Sequence, residues 1–238
     1  MGTASDSGRA QPSTTLSTLP SRRAGAAPDF PLWLRIAFWA CIAIAVAAVF
    51  RRAAALLLPP STNAPVQLAS LDAWFVSHAA LTWAHILCAV AFVALLPFLF
   101  WTRTSRSRAL ERGFFVLGFT VAATAYAMSV YAVGGWLERS AVLFFNTLFV
   151  VSLTQACLSL RRGDAYAKRR WILRAVAILL GIATTRPIMG VFFATAPLTH
   201  LTPRQFFGIA FWIGFSLNTV VMEIWLRSSA AKGRLLMA

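Results

Sequence analysis

The chain has 238 residues, 59% of them apolar and 12% charged, where a soluble globular domain runs at roughly 45–50% and about 25%. That balance excludes a water-soluble fold. The formal charge of +15, from 22 Lys and Arg against 7 Asp and Glu, does not indicate a nucleic-acid partner, because the bases lie between long apolar runs as they do in cytoplasmic membrane loops.

Residues 1–31 are rich in Ser, Thr, Ala, Gly and Pro and bury too little apolar surface to offset the entropy of ordering, so they are predicted to be a disordered tail. Asp6 stands where a myristoylation motif needs Ser or Thr, and the first apolar run is longer than a signal-peptide core and follows thirty polar residues. An uncleaved first span is expected. A spanning helix needs about 20 mostly apolar residues, and the runs that qualify are 32–50, 74–101, 114–136, 141–160, 171–195 and 205–227. None shows the two-residue alternation of a membrane barrel strand. The expectation is an all-α integral membrane bundle of about six helices over 32–227, with a short C-terminal tail over 228–238. The apolar stretch 53–58, closed by Pro59-Pro60, is too short to cross; it lies at the interface or extends the first helix.

Bases set the orientation. The tail and its junction (Arg9, Arg22, Arg23, Arg35), the second-to-third loop (Arg103, Arg106, Arg108, Arg112), the fourth-to-fifth loop (from Arg161 to Arg174) and the C-terminus (Arg227, Lys232, Arg234) fall on one side of the membrane. The other side has Arg51, Arg52, Arg139 and Arg204, with Arg186 inside a span. The positive-inside rule then puts both termini in the cytoplasm, as an even number of spans requires. A bacterial inner membrane is the expected location. The bilayer is the expected partner, its anionic lipids drawn to the basic loops at about 1 kcal/mol per base near the surface. Trp33, Trp39, Trp74, Trp101, Trp136, Trp171 and Trp225 fall mostly near span ends, where an amphipathic ring anchors a helix.

No P-loop, dinucleotide glycine fingerprint, HExxH or paired-cysteine metal site is present, and Cys41, Cys88 and Cys157 all fall in apolar spans. No catalytic residue and no metal ligand is expected. What remains is a set of polar groups inside the bilayer, where each is costly and therefore a functional candidate. His78 and His85 lie two turns apart on nearly one helix face. Arg186, placed by its rise along the fifth span, reaches the level of His78 in the outer half, and Asn146 enters from the fourth span. Tyr126 and Tyr131 lie in the outer part of the third. Lower down, Arg174 and Glu223 on antiparallel neighbours are placed to form a structural ion pair or to snorkel, and Asn218 reads as helix–helix glue.

Several motifs resemble those of a widespread bacterial family of predicted multi-pass membrane proteins of unknown function. They are Arg161-Arg162-Gly163-Asp164 with Lys168-Arg169-Arg170-Trp171-Ile172-Leu173-Arg174, Thr185-Arg186, His85-Ile86-Leu87, and Leu96-Pro97-Phe98-Leu99-Phe100. The resemblance covers about residues 70–195 and carries over His85, Trp171, Arg174 and Arg186. Glu111 and Lys168 stand where the family pattern has histidines, so metal or haem chemistry resting on those histidines is not implied for this chain.

These polar groups point to a non-enzymatic membrane protein that binds or moves a small or amphiphilic molecule. Its outer-half cavity would be lined by His78, His85, Asn146 and Arg186. A haem-bearing redox protein with His85 as an axial ligand is the alternative, and a purely structural assembly partner is the third.

Overall fold

The computed structural model describes residues 30–57, 73, 75–101 and 107–235. Most of the predicted disordered tail, 1–31, lies outside them, as do Trp74, Arg103 and Arg106. Every element among the described residues is a helix: α1 (Leu32–Leu57), α2 (Ala79–Trp101), α3 (Arg108–Ser129), α4 (Gly135–Arg161), α5 (Ala165–Thr199) and α6 (Pro203–Leu235). Five of them, all but α3, are long and apolar enough to cross a bilayer. The protein is a helical membrane bundle, with each helix antiparallel to the next and α3 packed between α2 and α4.

Local chemistry sets the helix ends. Gly163, at φ +73°, closes α4: its N–H reaches the Leu160 carbonyl while the Asp164 N–H reaches Ser159, the paired bonds of a Schellman motif. The Asp164 carboxylate then accepts from the Ala167 N–H at 2.8 Å and opens α5, so three residues suffice to reverse the chain. α6 opens with Thr202-Pro203-Arg204-Gln205. Gln205 Oε1 accepts from both the backbone N–H and the hydroxyl of Thr202, and Pro203 takes the first helical position, where its missing N–H costs nothing.

Several boundaries differ from the sequence expectation. Residues 53–57 continue α1, which settles the ambiguous apolar stretch as a helix extension. α6 runs to Leu235, so most of the stretch expected as a C-terminal tail from 228 is helical. α3 ends at Ser129 rather than near 136, and Val130–Gly134 form a turn. The apolar signal ran through that turn because Val130, Tyr131, Ala132 and Val133 are themselves apolar or aromatic.

The core sits between α2 and α6. Phe92, Phe114, Phe145, Phe149, Leu153 and Phe206 are buried in it, and α1 contributes no fully buried residue. α5 and α6 approach each other closely. A side chain at Gly214 would meet Thr185, and one at Gly181 would meet Phe215, both at 2.6 Å. In a bilayer, where helices gain nothing from hiding apolar surface, small residues permit the dispersion contacts that hold helices together. Thr184 donates to Asn218 Oδ1 at 2.8 Å across the same interface. Trp225 is one tryptophan that is not an interfacial anchor: it is buried and stacks on Phe30 at 5.7 Å.

Candidate functional site

All six helices leave between them a cavity of about 340 Å³. That volume is within the usual range for small-molecule sites. His78, His85, Asn146 and Arg186 all border it. Its walls are mostly apolar, with Val90, Val93, Phe145, Phe149, Phe211 and Phe215 among them, so the few polar groups fix what it can hold.

The depth of each group follows from which residues lie side by side. Gly208 of α6 backs onto Leu137 and Glu138 of α4, and Gly214 backs onto Thr185. Those two glycines are about 9 Å apart along α6, and Asn146 is about 12 Å past Glu138 along α4. The backbone of Arg186 is therefore within about a turn of Asn146. His85 and Asn146 are tied to neighbouring rungs of α3, His85 through Thr124 and Asn146 through the Ala122 carbonyl. The backbone of Arg186 thus lies level with that of His85, deeper than the level of His78 that its rise along the predicted span implied.

Arg186 has the surface of an exposed residue although protein surrounds it, and it borders the cavity. Among the described residues its guanidinium makes no hydrogen bond or ion pair. The charges it feels are those of Glu138 and Arg51. Glu138 is buried, and one of its oxygens accepts the Gly134 N–H at 2.6 Å, serving the first turn of α4 much as an acidic residue does in a capping box. Next to Arg186, Pro187 has no N–H, which leaves the Ala183 carbonyl without its helical donor. Prolines in membrane helices are tolerated where neighbouring groups compensate.

His85 Nδ1 lies 2.9 Å from Thr124 Oγ1, and that hydroxyl lies within reach of the Thr120 and Val121 carbonyls of its own helix. Asn146 Nδ2 donates to the Ala122 carbonyl at 2.9 Å. Because a carbonyl only accepts, this fixes the amide orientation and leaves Oδ1 for another partner. His78 sits in the turn before α2, where Ser77 Oγ contacts its Nδ1 at 2.9 Å and its ring lies 3.9 Å from that of Tyr131. Tyr126 instead pairs with Thr147 at 2.8 Å on an exposed face. His200 caps α5 at φ 53° and does not border the cavity. Among the described residues no three His, Cys, Asp or Glu side chains converge as metal ligands would.

The opposite, basic end is tied by ion pairs. Arg174 Nε lies 2.9 Å from Glu223 Oε2, and Arg227 Nε reaches Oε1 of the same carboxylate at 2.9 Å. The Arg174 guanidinium also lies 4.6 Å from the centre of the Trp171 ring. Lys168 Nζ pairs with Glu111, joining α5 to α3.

Sequence reasoning passed over Glu138, Arg51 and Arg52, all of which border the cavity. Glu138-Arg139 read as a solvated loop because the third span was carried to 136. The available signal was Gly134-Gly135 followed by an acidic residue in what becomes the first turn of a helix, where Asp and Glu are enriched.

A family model described as "Predicted membrane protein (DUF2306)" matches residues 75–226. No curated protein and no solved structure matches the chain.

Proposed function

The chain belongs to this family of predicted membrane proteins, and from that premise we propose that it binds or moves a small amphiphilic acid, whose anionic head rests on Arg186 inside the cavity. One observation carries the reading. A guanidinium inside a membrane bundle borders a cavity and makes no hydrogen bond or ion pair among the described residues. An arginine at the centre of a spanning helix costs about 2.5–3.5 kcal/mol on insertion scales, and an anion would offset that cost. His78, His85 and Asn146 would orient the bound molecule, and the apolar walls would take its tail. The excess of bases at one end supports placing the protein in the cytoplasmic membrane of a bacterium. Both termini would be inside and the cavity in the outer half.

The test is calorimetric titration of the full chain in lipid nanodiscs with decanoate, with empty nanodiscs as the reference. Saturable binding is expected. Arg186→Leu should weaken it by about 10-fold or more, as loss of a hydrogen bond to a charged group implies. Equal affinity in the two proteins overturns the reading.

A further inference from the structure

Around Arg186 the cavity offers acceptors. With the Thr124 hydroxyl donated to its own helix, His85 Nδ1 carries the ring proton and donates to Thr124 Oγ1, so Nε2 presents a lone pair to the cavity. Among the described residues Nε2 has no hydrogen-bond partner, nor does Asn146 Oδ1. Neither is a sealed-off buried atom, and both residues border the cavity. Both also lie within about a helical turn of the Arg186 backbone, as the pairings of Gly214 with Thr185 and of Asn146 with Ala122 require.

A plain carboxylate satisfies the guanidinium and leaves both acceptors unpaired, and unpaired acceptors in a low-dielectric site are costly. The geometry points to a ligand whose acidic head carries its own hydrogen-bond donor close by: a β-hydroxy fatty acid, with the carboxylate on Arg186, the hydroxyl on His85 Nε2 or Asn146 Oδ1, and the chain along the phenylalanine wall. This rests on the proposed binding of an amphiphilic acid and adds the class of acid. Both acceptors lie within about a helical turn of the Arg186 backbone in depth, so the donor is placed near the head and not far down the chain.

The experiment compares β-hydroxydecanoate with decanoate on the full chain in nanodiscs and reads the ratio of their affinities. One hydrogen bond predicts a preference of about 3- to 10-fold for the hydroxy acid. The His85→Phe, Asn146→Leu double variant should bring the ratio to one while leaving decanoate bound. Because the readout is a ratio within one protein, a variant of lower stability still reports. If the double variant does not fold, the two single variants between them must account for the loss. Equal binding of the two acids by the unaltered protein, with decanoate still dependent on Arg186, overturns the donor inference alone. Failure of both acids to bind overturns this inference and the reading beneath it.

Discussion

Replacing Gly214 with Ala isolates the contact that holds α5, and with it Arg186, against α6. An added Cβ would sit 2.6 Å from Thr185 Cγ2 and 2.8 Å from Thr185 N, where ordinary contact begins at 3.4 Å. The two helices would have to part by about 0.8 Å at that point, 3.4 less 2.6. Overpacking of this kind costs about 1–3 kcal/mol. Alanine also has a gain, since it leaves the unfolded chain fewer states than glycine does, about 0.4–1 kcal/mol. Gly190 on α5 supplies the control: nothing lies within 4 Å of a Cβ built there, so Gly190→Ala should show the gain alone. The difference between the two variants is then the packing cost, about 1–3 kcal/mol, read by reversible denaturation in mixed micelles. Adding Thr185→Ser to Gly214→Ala removes Cγ2 and leaves the backbone nitrogen in place, so it should restore part of the stability and not all of it. Equal stability of Gly214→Ala and Gly190→Ala would refute the close approach.

Two further outcomes follow from the ion pairs and the topology. Reversing either charge of the Glu111–Lys168 pair should destabilise the fold, and the double exchange Glu111→Lys, Lys168→Glu should recover most of the loss in a double-mutant cycle; simple addition of the two losses would show that the pair is not coupled. In a chain whose three native cysteines are replaced by alanine, a cysteine at exposed Leu198 should react with a membrane-impermeant maleimide in intact cells. One at exposed Tyr166 should react only after permeabilisation, and the reverse pattern would invert the proposed orientation.

The bundle was legible because hydropathy and length are local properties: a bilayer admits only segments that satisfy their own backbone hydrogen bonds, so each long apolar run declares itself without reference to the others. Arg174 and Glu223 could be placed at one level from rise per residue alone, and the structure brings them to 2.9 Å. The same arithmetic missed the level of the Arg186 backbone, because relative depth is fixed by contacts between helices, such as that of Gly214 with Thr185. Glu138 was lost because an apolar turn reads as more span, and the residues after it then read as loop.

Sequence by itself determined that this protein is a helical membrane bundle and which few residues carry charge or hydrogen-bonding capacity within the apolar spans. Tertiary structure decided which of those groups pair and which stay open. Glu223 draws both Arg174 and Arg227, Asn218 takes the Thr184 hydroxyl, and Asn146 spends only its amide N–H on α3. Arg186 pairs with none of the described residues. The reason is geometric: whether a polar group is satisfied depends on the rotation and depth of its neighbours' helices, and glycine contacts such as that of Gly214 with Thr185 set both only once the bundle is assembled.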